Sequence, residues 1–289
     1  PTDPVAVLPI FEELGAPDRL SVLVDGESML NDGVAVVLYT ALLDAVLTSF
    51  GPGGPTMSSR ATASVLFEIG FGVFLTMAGG VLVGAGAGYL VYRFVAAFDD
   101  ELTTVILSVV LVYGSYLLGE ELGFSGVLAV VSAGLFVAER SESSTLSAET
   151  RLTFAITWRS VAFIGNTFLF LIIGIVTPFD QLVRYAAPIG VAIVLVFLAR
   201  AAVVYPLSAA VNRAPSEPIP RPYQHVLVWS GIHVSIPLAL ALGLPAAFPD
   251  PLAEQFRALV FGIATFTLVV QGLTMEPVLH RLGIATHPS

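Results

Sequence analysis

Eight apolar stretches of spanning length recur along the chain, around residues 27–50, 64–97, 102–119, 123–139, 158–177, 186–210, 225–247 and 256–280. Each can cross a hydrocarbon core of about 30 Å. Residues 1–14 read as part of one more such segment. The period-two alternation over about ten residues that marks a membrane β-strand is missing. The expected fold is therefore all-α, a polytopic transmembrane helical bundle. Composition agrees, because charged residues make up 12% of the chain, whereas soluble domains carry about 25%. Mean hydropathy is +0.88.

The chain opens at Pro1, with no Met or signal peptide ahead of a helix already under way. It reads as the C-terminal portion of a longer protein whose early helices are missing, with residues 1–289 forming one transmembrane domain. Cysteine is absent, which excludes disulfides and thiol chemistry. All twelve basic residues are Arg, and the net charge is -10. Such an acidic, Lys-free, Ala/Val/Gly-rich composition suggests a halophile of the haloarchaeal type. Net charge speaks to solubility and surroundings rather than to fold. The expected surroundings are a lipid bilayer, and neither nucleic acid nor a cofactor is an expected partner.

Polar breaks fall at 15–25, 51–63, 98–101, 119–122, 140–157, 178–185, 211–224 and 248–255. Alternating them across the bilayer puts Arg19, Arg93, Arg140, Arg151, Arg159, Arg213, Arg221 and Arg281 on one side. Arg60, Arg184 and Arg257 fall on the other. The positive-inside rule then places the first set in the cytoplasm. Arg200 belongs to neither side, because it lies inside the apolar run Val191–Ala210. Residues 140–157 read as a solvated linker and residues 211–222 as a stiff, Pro-rich turn. Gly79, Gly80, Gly84, Gly86 and Gly88 read as small-residue surfaces for close helix packing.

Two of the apolar segments should be interrupted. Thr2-Asp3-Pro4 opens a stretch with a second proline at Pro9, and Gly231-Ile232-His233-Val234-Ser235-Ile236-Pro237 lies in another. Proline lacks the amide N–H and clashes with the preceding turn. Unwound backbone at membrane depth persists where it lines a polar cavity. Paired interruptions in the two halves of a chain point to a transporter's binding site, with two plain proline kinks as the alternative.

The stretch Gly26-Glu27-Ser28-Met29-Leu30-Asn31-Asp32 puts two carboxylates and an amide at the opening of an apolar run. A carboxylate at membrane depth costs a few kcal/mol or more, so a chain that keeps one there usually uses it. On a helix Ser28 and Asp32 share one stripe, and Glu27 and Asn31 the next. Thr2 and Asp3 could meet them across a short gap. Carboxylate, hydroxyl and carbonyl oxygens suit a dehydrated hard cation. A carboxylate that holds the cation can instead hold a proton, so the two compete. Arg200 is the natural counter-charge for Glu27, leaving Asp32 free to titrate; the alternative for Glu27 is a plain helix-entry acid. Asp44 and Glu68 read as interfacial, and Glu12, Glu13, Asp99, Asp100, Glu101, Glu120 and Glu121 as loop acids. His233, in the second interruption, is read first as a polar contact at the break, with pH sensing as the alternative.

Thr2-Asp3-Pro4, Glu27-Ser28-xx-Asn31-Asp32, Arg200 ahead of Val-Tyr-Pro-Leu-Ser, and Phe170–Gly174 after Asn166 together resemble the cation:proton antiporter 1 family of Na⁺/H⁺ exchangers. The resemblance covers nearly the whole chain. It implies discontinuous, crossing helices from inverted repeats, in a multi-pass protein of the cell membrane that is a transporter and not an enzyme. It implies exchange of Na⁺ (or Li⁺) for H⁺ by alternating access, and a homodimer in the full-length protein. Asp32 would carry the ion or proton, with Asn31 beside it, Ser28 supplying an oxygen, and Thr2 and Asp3 completing the site. Glu27 and Arg200 would form a structural ion pair. The Asn31-Asp32 pair resembles the electroneutral branch. One departure stands out: where the family often has Gly-Leu-Arg-Gly, this chain has Gly231-Ile232-His233-Val234. Competing readings are K⁺/H⁺ exchange, a cation channel, and an intramembrane aspartyl protease using Asp3 and Asp32. The Tyr-Asp and Gly-x-Gly-Asp signatures of that protease class are missing from the sequence.

Overall fold

In a computed structural model the described residues are 2–4, 7–50, 63–98, 100–142, 147–176, 179–214, 217–246, 248 and 250–285. Helices account for nearly all of them, and no strand occurs among them. The order is α1 Leu8–Glu13, α2 Asp18–Phe50, α3 Ala63–Phe98, α4 Glu101–Glu121, α5 Gly126–Glu142 and α6 Ala148–Val176. There follow α7 Phe179–Arg184, α8 Ala186–Val211, α9 Arg221–Trp229, α10 Ser235–Leu242 and α11 Asp250–Phe266. A π turn, Thr267–Gln271, joins α11 to α12, Gly272–Arg281. Arg60 lies outside the described residues, as does the side chain of Glu68.

Among the described residues, five helices are long and apolar enough to cross a membrane: Gly70–Val95, Leu102–Glu121, Ala148–Ile172, Ala186–Val211 and Leu252–Arg281. Large apolar side chains cover their outer surfaces, for instance Leu82 at 73% exposure and Phe163 at 72%. In water such surfaces would aggregate, whereas lipid solvates them. Residues 225–247, counted above among the apolar stretches, divide between α9 and α10 with non-helical backbone between.

The linker expected at 140–157 is much shorter, since α5 runs to Glu142 and α6 starts at Ala148. Ser147 Oγ accepts the Thr150 N–H at 3.1 Å and so caps α6. Among the described residues, the polar ones that suggested a linker, including Arg140, Ser147, Glu149, Thr150 and Arg151, lie at helix ends. The break expected at 15–25 likewise shrinks, because α2 already begins at Asp18. Two expected loop acids also cap helices. Asp100 Oδ2 accepts from the Thr103 N–H at 2.8 Å, and Glu120 Oε1 accepts from the Gly126 N–H at 3.0 Å.

Contacts sort the chain into two compact units, one of residues 1–32 with 170–289 and one of residues 33–169. In the second, α3, α4 and α5 pack on one another. A Cβ built on Gly80 would lie 2.5 Å from the Ser125 carbonyl oxygen, on Gly84 2.0 Å from that of Ala129, and on Gly88 2.9 Å from that of Ala133. Glycine every fourth residue of α3 therefore seats the backbone of α5, the two chains running the same way. Gly79 meets the Phe124 ring, where an added Cβ would fall 2.1 Å from Cδ1. Gly86 stands apart from this surface, with nothing within 4 Å of an added Cβ. Gly84→Leu should push α3 off α5 and cost about 2 kcal/mol or more, while Gly86→Leu should be near neutral. Melting of the two variants in detergent checks this, and equal melting points would contradict it.

In the first unit a core of Val7, Phe11, Leu20, Val24, Ile232 and Leu238, among others, ties α1 and the start of α2 to α9, α10 and α11. Arg19 donates to the Pro218 and Glu217 carbonyls at 3.0 and 2.6 Å, and Asn212 Oδ1 accepts from the Ile219 N–H at 2.6 Å. These bonds hold the described part of the Pro-rich turn; residues 215–216 lie outside it.

Candidate functional site

Both interrupted segments lie in the first unit, and they meet. Thr2 and Asp3 are non-helical, and the Asp3 N–H donates to the Ile232 carbonyl at 2.6 Å. Neither Pro9 nor Pro237 is where its helix breaks. Pro9 sits in the first turn of α1 and Pro237 in the first turn of α10. An amide N–H there has no partner within the helix, so its loss costs little. The interruptions are thus starting points of new short helices, with the unwound backbone just ahead of each.

Around this crossing the polar side chains are sheltered. Thr2 is 3% exposed, Asp3 7% and Ser28 1%. The Thr2 and Ser28 hydroxyl oxygens lie 2.8 Å apart. Ser235, at the start of α10, donates its hydroxyl to Asp3 Oδ2. Asp32 is half-buried one turn beyond Ser28 on α2, with the Asp3 and Glu27 carboxylates close enough to act on it electrostatically. Two carboxylates and three hydroxyls therefore gather around one crossing.

The neighbouring stripe of α2 is differently engaged. Arg200, on α8, grips Glu27 with both ends of its guanidinium, Nη2 to Oε2 at 2.8 Å and Nη1 to Oε1 at 3.2 Å. Its Nε donates to the Leu227 carbonyl at 2.8 Å. Asn31 Nδ2 donates to Glu27 Oε1 at 3.1 Å, so the amide turns toward the ion pair. A Cβ added to Gly231 would fall 2.6 Å from Arg200 Nε. Only glycine lets the unwound segment pass so close to that side chain.

Sequence spacing alone did not single out Ser235 as a site residue, nor Thr267 and Gln271 at all. Thr267 Oγ1 accepts the His233 N–H at 3.2 Å, and Gln271 Nε2 donates to the Trp229 carbonyl at 2.7 Å. The signal that would have found Gln271 is a lone amide inside the apolar run 256–280.

A family model described as the sodium/hydrogen exchanger, transmembrane, matches residues 1–281. The chain belongs to the sodium/hydrogen exchanger family. Among its curated relatives, the Na(+)/H(+) antiporter NhaG of Bacillus atrophaeus is 36% identical over 284 residues, which is 98% of this chain and 51% of that protein. The Na(+)/H(+) antiporter ApNhaP of Aphanothece halophytica is 35% identical over 98% of this chain and 52% of its own length. For the Na(+)/H(+) antiporter NhaH of Halobacillus dabanensis the figures are 34%, 98% and 66%. This chain spans about half the length of the first two. Family and apolar helices together make it a membrane protein.

Proposed function

We propose that the protein exchanges Na⁺ (or Li⁺) for H⁺ across the cell membrane, with both ions competing for Asp32. The observation that carries this reading is the division of labour on α2. Arg200 and Asn31 occupy Glu27, while Asp32 lies one helical turn beyond Ser28, whose hydroxyl is at the crossing with Thr2. Hydroxyl and carboxylate oxygens of this kind replace the water of a small hard cation. One titrating carboxylate offers one place, which a proton and a monovalent cation cannot hold together. Facing each side in turn, that place exchanges one for the other without net charge movement. Residues 1–289 act as one exchanger transmembrane domain, with its crossing helices drawn from inverted repeats, and the whole protein works as a homodimer. The names of its relatives support the Na⁺/H⁺ reading.

The test is Na⁺-driven proton flux in vesicles containing the whole protein, with and without an imposed membrane potential. Flux unaffected by the potential is the expected result. Current without proton coupling would mean a channel, peptide cleavage without flux a protease, and drive by K⁺ alone a K⁺/H⁺ exchanger. Ser28→Ala and Thr2→Val each remove one oxygen and strand its partner. Each should raise the Na⁺ concentration for half-maximal flux about tenfold, the worth of a lost hydrogen bond to an ion. Unchanged half-saturation in both would exclude these hydroxyls from the site.

A further inference from the structure

The π turn Thr267–Gln271 sits beside the second interruption and grips it at both ends. Gln271 Nε2 donates to the carbonyl of Trp229, the last residue of α9, at 2.7 Å. Thr267 Oγ1 accepts from the N–H of His233, two residues ahead of α10, at 3.2 Å. Both side chains are buried, at 2% and 1% exposure. A π turn costs helical regularity and recurs where a local geometry is needed. Here it gives one helix two anchors on a stretch of backbone that has left its own helix.

The grip is incomplete. His233 Nδ1 and Gln271 Oε1 are fully buried, and neither has a hydrogen-bond partner among the described residues. Both residues line one small cavity together with Arg200, Gly231 and Thr267. It leaves about 10 Å³ for the centre of a water, room for about one molecule. A buried polar atom without a partner costs much more than a hydrogen bond returns. Ile193, Val196, Phe197, Val228 and Ile263 form the rest of the cavity wall, so these two buried atoms are the groups that a water held there would satisfy.

The geometry points to a binding site for a single water that bridges His233 Nδ1 and Gln271 Oε1 and makes the two residues a positioning pair for Arg200. Water donates to the amide oxygen, and it donates to or accepts from the imidazole nitrogen according to tautomer. The bridged unit then fixes Gly231, whose missing Cβ is what admits Arg200, and through Arg200 it fixes Glu27. The water site itself is independent of which ions are moved; only the flux readout rests on the exchange reading.

A high-resolution structure of the whole protein should show one ordered water within hydrogen-bond distance of both atoms. Asn places a polar atom where His Nδ1 lies, whereas Gln places one where Nε2 lies. His233→Asn should therefore keep amide exchange at residues 231–234 close to the parent's, and His233→Gln should speed it about tenfold. In vesicles His233→Gln and Gln271→Met should each raise the Na⁺ needed for half-maximal flux several-fold, and the double variant should do no worse than either alone. Absence of the water, or a direct bond between the two side chains, would overturn the site. A water in place with additive variants, or with Asn and Gln behaving alike at 233, would overturn the positioning role. If no variant or parent protein moves protons, the structure and amide exchange still decide the site.

Discussion

Vesicles carrying Asp32→Asn protein will show no Na⁺-driven proton flux above empty vesicles, while the protein itself folds and inserts normally. Asn matches Asp in size and keeps a carbonyl oxygen, but it neither ionises nor releases a proton in this range. The remaining carboxylates cannot stand in. Glu27 is held at both oxygens by Arg200, and Asp3 accepts the Ser235 hydroxyl at the crossing. A proton delivered with every turnover needs a group that is free to lose it. Loss of a full negative charge also removes the strongest attraction for a dehydrated cation in a medium where charges interact far more strongly than in water. The decisive comparison is flux at matched protein density in the bilayer. Normal exchange by Asp32→Asn would move the site away from α2 altogether.

Arg200→Ala should instead deplete the protein. The substitution leaves Glu27 with a carboxylate facing an emptied space, and it leaves the Leu227 carbonyl to the longer bond from the Ser230 hydroxyl, at 3.4 Å. Breaking one side of a buried pair costs about 3–5 kcal/mol. The Arg200 side chain is 10% exposed and that of Glu27 33%, which favours the lower figure. Marginal stability turns even that into a large drop in abundance. Removing both charges tests the cause, because an apolar pair in place of ions is close to neutral. Arg200→Leu with Glu27→Leu should recover membrane abundance that Arg200→Ala alone loses. Membrane abundance and detergent melting measure it. Normal abundance of Arg200→Ala with an altered ion preference would make the pair part of the selective site.

The apolar runs made the helices legible, because the period and length of a membrane span leave few alternatives. Helix ends were read poorly. Asp18, Asp100 and Ser147 looked like loop residues, yet each sits at or beside a helix start, where acids and hydroxyls answer unpaired amides. The interruptions were legible at Gly231 and Pro4 as places where a helix cannot run on. Their consequences were not. Nothing in the spacing of Ser235 tells that its hydroxyl lies on Asp3, or that the Asn31 amide turns to Glu27 rather than toward Asp32. Such choices depend on which chain segments cross, a property of tertiary packing with no local signature. Gln271 is the instructive omission: the amide was plain in the sequence, but the π turn that ends at it and its bond to the Trp229 carbonyl were not.

The fourfold spacing of Gly80, Gly84 and Gly88 on α3 has a drawback. A surface that repeats every four residues fits its neighbour almost as well after sliding one notch. Displaced one way, Gly80 and Gly84 would seat Ala129 and Ala133; displaced the other, Gly84 and Gly88 would seat Ser125 and Ala129. Lipid offers no hydrophobic penalty to decide between them. The Phe124 ring does decide. In the observed alignment it lies against Gly79, but either slip would bring it onto Leu75 or Val83. The ring shares this work with Thr76 and Tyr92, one of which each slip would put where a glycine now seats α5, so replacing Phe124 with alanine would weaken the index pin of this ratchet without freeing it.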